Sequence, residues 1–175
     1  MVIIDALGKP CPMPVILAKK QMKQGEDFII KVDNTTAVEN LKRLAKNQNA
    51  SVEVKEENGN FALYFSDIKG NAQASAKDEY VVFLGKDYVG EGDHQLGGAL
   101  AKMFLYTLTQ SEDIPSAILI MNSGVKLATT NEETAAHLKT LTEMGCEVLV
   151  CGTCLEYYKL KDQLKAGTVS NMFDI

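Results

Sequence analysis

A single thiol set among prolines is the first feature of the sequence that suggests chemistry. Cys11 lies between Pro10 and Pro12 in the stretch KPCPMP, and Pro14 follows closely. Proline is tolerated in the first turn of a helix, where backbone N–H groups lack intrahelical partners, so this stretch predicts Cys11 at the N-cap of a helix over residues 12–24. The positive end of a helix favours a thiolate, the nucleophilic form of cysteine. The sequence therefore predicts an exposed nucleophile at a strand-to-helix junction.

The alternative for Cys11 is a structural role. The thiol would then be a small apolar side chain, and Pro12 would only start the helix. The second proline argues against this alternative, because Pro14 restricts the chain further while it is expected to contribute little packing. We therefore favour the reactive thiol.

A second group of thiols lies in the stretch CEVLVCGTCLEYY. Cys151 and Cys154 form a C-x-x-C pair where a buried strand is predicted to end, and parallel α/β folds place their sites at such strand ends. One thiol of the pair can attack and the other can resolve, in redox or sulfur-transfer chemistry. A structural zinc site needs four ligands, and only Cys146, expected in the core, is close in sequence. Zinc is thus the weaker alternative, and two strand-end residues without a role are another.

The composition excludes several classes of protein. The 175 residues carry a net charge of −5 and one arginine, Arg43, which argues against a dedicated nucleic-acid-binding protein. No apolar run reaches the ~18 residues that a membrane span needs. The amino terminus lacks the features of a signal peptide, so we expect a cytoplasmic protein. Four cysteines in such a chain indicate reactive or metal-binding thiols rather than a disulfide framework.

The elements that must position these thiols divide into two α/β domains. Residues 69–79, which read KGNAQASAKDE, are small and polar and predict a linker between a domain at 1–68 and a domain at 80–175. The first domain reads as strand, helix, strand and helix, followed by a hairpin around Asn58-Gly59. This order predicts a two-layer βαβαββ sandwich.

The second domain alternates near-continuous apolar strands with helices. Such a pattern predicts a doubly wound parallel sheet that is buried on both faces, with helices near 94–110, 131–144 and 156–165. Val169 is expected to begin a fourth strand, after which the sequence stops at Ile175. We therefore expect this domain to be short at its C-terminus, or the sequence to be truncated there.

Two glycine-containing loops are predicted at the same edge of that sheet as Cys151. They follow the first two strands, at 85–98 and 122–133, and together they predict a pocket. Asn122, Ser123 and Gly124 could bind an anion through loop N–H groups, and His94 is a candidate acid or base beside them. A solvent-facing histidine at a helix start is the alternative for His94, with Asp93 as the N-cap.

The pattern D-x-x-G-x-x-C-P-x-P resembles the TusA/SirA family of small sulfur carriers. It is formed by Asp5, Gly8, Cys11, Pro12 and Pro14, and the βαβαββ order of that family matches residues 1–68. The resemblance implies that Cys11 carries a persulfide sulfur received from a cysteine desulfurase or a rhodanese, while the prolines shape its loop. It implies no metal or organic cofactor.

The second domain resembles the DsrE/DsrF-like family, which includes partner subunits of sulfur relays. Its pattern MNSGVKL…CGTCL…VSNM, joined behind a CPxP domain, is similar to the YedF-type family associated with selenium metabolism. The resemblance implies that Cys151 is the persulfide-carrying cysteine and that the protein can form homo-oligomers. Cys154 is an addition to the pattern and introduces the option of an intramolecular disulfide.

These observations predict a sulfur or selenium relay in which Cys11 takes up a sulfane atom and passes it to Cys151. An acceptor protein of a sulfur or selenium pathway would follow, and whether the protein is itself an enzyme of the sulfurtransferase kind stays open. The alternative is a regulatory or partner-binding module with a redox-sensitive Cys151–Cys154 disulfide. A weaker option is a role with RNA through Lys42, Arg43 and Lys46, which otherwise form the solvated face of a helix.

Overall fold

A computed structural model of the protein describes residues 1–57, 59–68 and 79–175. The chain divides into two compact units, Met1–Ala76 and Lys77–Ile175. The predicted linker at 69–79 lies outside the described residues except for Glu79. Among the described residues, no helix combines the length and the apolar character that crossing a membrane would require.

The first unit has the element order βαβαββ that the sequence predicts. Strands β1 and β2 are parallel, while β4 pairs antiparallel with both β2 and β3, giving the sheet order β1–β2–β4–β3. The elements are β1 Val2–Asp5, α1 Met13–Met22, β2 Phe28–Val32, α2 Thr35–Asn47, β3 Ser51–Glu57 and β4 Asn60–Ser66.

Local sequence explains the second helix and the hairpin of this unit. Asn34 is the N-cap of α2, and its side-chain oxygen accepts a hydrogen bond from the Ala37 N–H at 2.8 Å. Gly59, at φ +79°, lies where β3 returns as β4, whereas Asn58 lies outside the described residues. Phe28 and Phe65 stack in the core with ring centroids 4.7 Å apart.

The second unit alternates strands with helices, and its four described strands form one parallel sheet. The order of the strands is β5–β6–β7–β8, so their sequence order is also their spatial order. The parallel α/β class is confirmed. The elements are β5 Val81–Leu84, α3 His94–Thr109, β6 Ala117–Ile120, a 3₁₀ helix Asn122–Ala128, α4 Glu132–Glu143, β7 Glu147–Cys151, α5 Gly152–Tyr157, a second 3₁₀ helix Lys161–Gln163 and β8 Thr168–Ser170.

Burial of this sheet differs from the prediction. Ile118 and Ile120 of β6 are buried in the core, but Val81 and Phe83 of β5 remain 53% and 61% exposed. Side chains of a strand alternate between the two faces of a sheet, so at β5 only one face is covered. The apolar run VVFL therefore does not mark a strand that is buried on both faces.

The helix predicted at 156–165 is also wrong. Helix α5 begins immediately after β7 at Gly152 and ends at Tyr157. Lys159, at φ +57°, cannot continue a right-handed helix, and the chain then forms only the short 3₁₀ helix Lys161–Gln163. The earlier start of α5 matters for the chemistry, because it places Cys154 on a helix instead of in a loop.

Candidate functional site

Cys11 is exposed in the loop between β1 and α1, as the sequence predicts, but it is not the N-cap. The N-cap is Pro12, whose carbonyl accepts the first helical hydrogen bond, from the Ile16 N–H at 3.1 Å. A turn precedes the helix, because the Met13 N–H donates to the Pro10 carbonyl at 2.9 Å. The peptide bond between Cys11 and Pro12 is cis. The thiol thus lies one residue ahead of the helix cap.

The CPxP prolines also differ from expectation in their packing. Pro14 lies at the start of α1 and is buried, so it attaches the helix start to the core of the first unit. The prediction that Pro14 contributes little packing is therefore wrong. Cys11 is therefore an exposed residue in a loop whose C-terminal side is fixed by the burial of Pro14.

The N-terminal side of the Cys11 loop is held by two carboxylates. Asp5 accepts a hydrogen bond from the Leu7 N–H at 3.0 Å, and Asp33 accepts one from the Gly8 N–H at 2.7 Å. Gly8 is at φ +66°, a conformation that side chains disfavour, which explains the glycine of the motif. Asn34 donates to the second oxygen of Asp33 at 2.9 Å. The hydrogen bonds from Asn34 and then Gly8 lower the pKa of Asp33 from its ordinary value.

Asp33 is a site residue that the sequence analysis missed. It directly follows β2, which pairs in parallel with β1, so the loops that follow the two strands meet at one edge of the sheet. The available signal was an acidic residue at the carboxyl end of a neighbouring strand. Recognising that signal requires the strand pairing, because 25 residues separate Asp33 from Gly8.

Cys151 and Cys154 are brought together by the junction between β7 and α5. Cys151 ends the strand and is the N-cap of the helix, with 3% of its surface exposed. Cys154 lies three positions further on and is half-buried. Residues three apart on a helix lie on one side of it, so the N-cap Cys151 and Cys154 in the first turn of α5 are neighbours.

Asn122 supplies a backbone donor to this pair. Its N–H donates to the Cys154 sulfur at 3.1 Å, and its side-chain oxygen accepts a hydrogen bond from the Tyr158 hydroxyl at 2.9 Å. Asn122 is at φ +48°, a conformation that asparagine tolerates better than most residues. The Lys126 ammonium lies 5.5 Å from the centre of the Tyr158 ring and 3.4 Å from the Asp87 carboxylate. These contacts join the loop after β5, the 3₁₀ helix and α5 around Cys154.

Burial governs the protonation of the second set of thiols. It is the largest cause that raises the pKa of Cys154, followed by the hydrogen bond with Cys151, while the Asn122 N–H opposes the rise. Burial also raises the pKa of Cys146, with the Glu147 charge as a smaller cause. Cys146 is buried in the core of the second unit, as predicted.

The predicted pocket residues have separate contacts. Ser123 accepts a long hydrogen bond from the Asp87 N–H at 3.4 Å, and Gly124 packs directly on the end of β5. His94 begins α3 directly after the N-cap Asp93, as the sequence predicts, and its ring packs at a tilt against Tyr88 with the ring centroids 3.9 Å apart. Two cavities of about 490 and 310 Å³ in this unit are lined by other residues. An anion pocket shared by Asn122 to Gly124 and His94 stays a prediction.

All four cysteines lie in the described part of the chain. Within residues 1–57, 59–68 and 79–175, no three His, Cys, Asp or Glu side chains are grouped in a way that could hold a metal ion.

Comparisons with known proteins agree with the two-unit architecture. Residues 2–66 match the family model for the sulfurtransferase TusA, and residues 87–174 match the DsrE/DsrF-like family. A candidate sulfur carrier protein of Methanocaldococcus jannaschii is 37% identical over 57 residues, which cover 31% of this chain and 76% of that protein. The crystal structure of a SirA-like protein from Desulfitobacterium hafniense is 31% identical, with a TM-score of 0.38, and covers 39% of this chain and 100% of its own.

The chain thus belongs to the DsrE/DsrF-like family through its second unit and to the TusA family of sulfur carriers through its first. The membership in these two families that the CPxP and CGTCL patterns suggested is confirmed.

Proposed function

We propose that this protein is a sulfur relay in which Cys11 carries a sulfane sulfur atom as a persulfide and delivers it to the thiols of the second unit. One observation carries the proposal: an exposed thiol in a braced loop of a TusA-type unit occurs in one chain with a second thiol site at a strand end. Residues 1–68 would act as the carrier domain and residues 80–175 as the domain that receives the atom.

The transfer is an exchange between thiols and requires no metal or organic cofactor. The Cys11 thiolate attacks the terminal sulfur of a persulfide on a cysteine desulfurase or a rhodanese-type donor. The sulfur–sulfur bond of the donor breaks, its thiolate leaves with the electron pair, and Cys11 holds the persulfide. A second exchange moves the atom to the second unit, within one molecule or between two copies, and an acceptor protein follows. Because this chemistry needs reduced thiols, the proposal places the protein in the cytoplasm.

Mass spectrometry after incubation with a cysteine desulfurase and cysteine tests the carrier role. We expect the parent to gain the mass of one sulfur atom on the peptide that contains Cys11, and Cys11→Ser to gain none there. Cys146→Ala is the matched control, since its thiol is buried in the core. If Cys11→Ser loads as much sulfur from the desulfurase as the parent does, Cys11 is not the entry point.

Selenium is a second cargo that the YedF-type resemblance supports. Replacing cysteine by selenocysteine as the substrate of the donor enzyme tests it on the same peptide. Retention of the heavier atom on Cys11 would extend the relay to selenium, and its loss during the assay would limit the relay to sulfur.

A redox switch is the alternative function, and one observation favours it. Cys151 and Cys154 stand three positions apart at the start of α5, a C-x-x-C spacing from which a disulfide can form. A thiol titration under mild oxidant separates the two functions. Loss of two thiols with unchanged loading of Cys11 would support the switch, whereas sulfur on the second unit after loading of Cys11 would support the relay.

A further inference from the structure

The two thiols of the C-x-x-C pair differ in their access to solvent. Cys151 is 3% exposed at the end of β7, whereas Cys154 is half-buried on the first turn of α5. A persulfide on another protein or on a small thiol can be attacked only by a sulfur that it can reach. Access therefore favours Cys154 as the first thiol of the second unit to react.

We propose that Cys154 receives the sulfane sulfur and that Cys151 then expels it as hydrosulfide, leaving a disulfide between Cys151 and Cys154. The second unit would in this way reduce a carried sulfur atom instead of passing it on as a persulfide. The inference rests on the proposed function for the source of the persulfide, and it places on Cys154 the persulfide that the family resemblance implies for Cys151.

The position of Cys151 beside Cys154 suits it to the second step, the attack on the Cys154 sulfur. A buried thiol can react only with a group next to it, and Cys151 is the N-cap of the helix whose first turn holds Cys154, three positions on. Cys146, on the residue before β7, has a different neighbour, since its thiol donates a weak hydrogen bond to the Glu147 carbonyl at 3.7 Å. Cys151 is thus placed to attack the Cys154 sulfur once that sulfur carries a leaving group.

One contact at Cys154 favours the thiolate that the first step needs, although burial and Cys151 together raise the pKa of that thiol. The Asn122 N–H, 3.1 Å from the Cys154 sulfur, stabilises negative charge on that atom. Tyr158 holds the Asn122 side chain through its hydroxyl, so the donor has a fixed position. The same N–H lies beside the bond that must break in the second step.

Both steps balance in atoms and electrons. In the first, the Cys154 thiolate attacks the terminal sulfur of the incoming persulfide, and the donor thiolate leaves. In the second, the Cys151 sulfur attacks the Cys154 sulfur, and hydrosulfide leaves with the electron pair and takes up the Cys151 proton. The two thiols together lose two electrons, and the sulfane sulfur gains them. A dithiol reductant must reopen the disulfide before another turnover.

The experiment uses the full chain with Cys11→Ser and glutathione persulfide as the probe. Sulfide is trapped with a bimane reagent, and the peptide that contains both thiols is analysed by mass spectrometry. Without a reductant we expect about one equivalent of sulfide per chain above the Cys151→Ala/Cys154→Ala background, with loss of two hydrogen atoms from that peptide. Addition of dithiothreitol should allow repeated turnover. Absence of any sulfide above the background would overturn the proposal.

Single variants in the same background assign the order. Cys151→Ala should retain the extra sulfur on Cys154 and release none, whereas Cys154→Ala should neither load nor release. Cys146→Ala is the control that should match the parent, and a thermal melt verifies that each variant is folded. Release by Cys151→Ala at the parental rate, or loading of Cys151 in Cys154→Ala as fast as Cys154 loads in Cys151→Ala, would overturn the assignment.

The outcome is independent of the carrier role of Cys11. Because Cys11 is absent from the assay, a negative result would leave the desulfurase loading of Cys11 intact. A failure of that loading would in turn leave sulfide release from glutathione persulfide as a property of the second unit alone.

Discussion

The two thiol sites occupy equivalent positions in their folds but differ in solvent exposure. Cys11 follows β1 and precedes α1, and Cys151 ends β7 and precedes α5. Each therefore lies where the chain leaves a parallel strand and enters a helix. Cys11 is exposed, while Cys151 is buried and lies three positions before a second thiol, Cys154.

The interactions that fix each site indicate what its thiol can do. The Cys11 loop is fixed by contacts that do not involve the sulfur: Asp5 and Asp33 accept hydrogen bonds from backbone N–H groups, and Pro14 is buried. This arrangement leaves the sulfur free to meet another protein. At Cys154 the interactions involve the sulfur itself: the Asn122 N–H donates a hydrogen bond to it, and Cys151 raises its pKa. An exposed single thiol suits delivery, whereas a sheltered pair suits a reaction that ends in a disulfide.

The largest expected difference between the sites is in alkylation. Treating the native protein with iodoacetamide should modify Cys11 at least on the order of a hundredfold faster than Cys151, because a buried thiol reacts only when the structure opens locally. Time-resolved peptide mass spectrometry measures both rates in one sample. Full denaturation should bring the two rates together, and similar rates in the native protein would remove the contrast.

Close packing around the second site is tested by Gly124→Ala. A Cβ at this position would collide with the Leu84 carbonyl oxygen, so the substitution should destabilise the second unit by about 1–3 kcal/mol. Gly98→Ala is the control, since its Cβ would meet open space within α3 and should stabilise the helix by up to ~1 kcal/mol. Thermal unfolding followed by circular dichroism compares them. Equal melting temperatures for the two variants would contradict the packing.

Ionisation of Cys154 gives the next contrast. Burial and the contact with Cys151 favour the neutral thiol, so the pKa of Cys154 is raised and its thiolate forms at higher pH than that of an ordinary thiol. In a Cys11→Ser background, the alkylation rate of Cys154 should still climb at a pH where the same residue in the denatured protein has levelled off. Cys151→Ala removes one of the two causes and should move the profile to lower pH. An unchanged profile in that variant would show that the contact does not act on Cys154.

The Cys11 loop should respond to Asp33→Ala. Loss of the acceptor for the Gly8 N–H frees one side of the loop, and we expect loading by a desulfurase to slow by roughly fivefold with little change in melting temperature. Asp33→Asn keeps a side-chain oxygen that can accept from Gly8 and should restore most of the rate. If Asp33→Ala loads like the parent, the hydrogen bond does not position Cys11.

Sequence reasoning succeeded where the determinants are local. The cap Asp93 was predicted from its residue type at the start of a helical stretch, and it accepts the expected hydrogen bond from the Leu96 N–H. It missed a residue that only a distant pairing brings to the site, because the support from Asp33 depends on the pairing of β1 with β2. The unequal burial of Cys151 and Cys154 likewise depends on how the rest of the unit covers each residue. A C-x-x-C spacing shows that two thiols can meet, but it does not show which of them meets solvent.

The smallest effect is expected for Tyr158→Phe, which tests whether the hydrogen bond from the Asn122 N–H to the Cys154 sulfur affects the reactivity of that thiol. The variant keeps the ring beside Lys126 and loses only the hydroxyl that donates to Asn122. Without that contact the Asn122 N–H is held less firmly against Cys154, so the alkylation profile of Cys154 should shift to higher pH and its rate at neutral pH should fall about two- to threefold. Tyr157→Phe is the matched control, because Tyr157 is largely exposed and only its ring contacts Tyr158. If Tyr158 has only a structural role, the variant should have a lower melting temperature and an unchanged pH profile of Cys154 alkylation. That result would show that Asn122 does not affect the reactivity of Cys154.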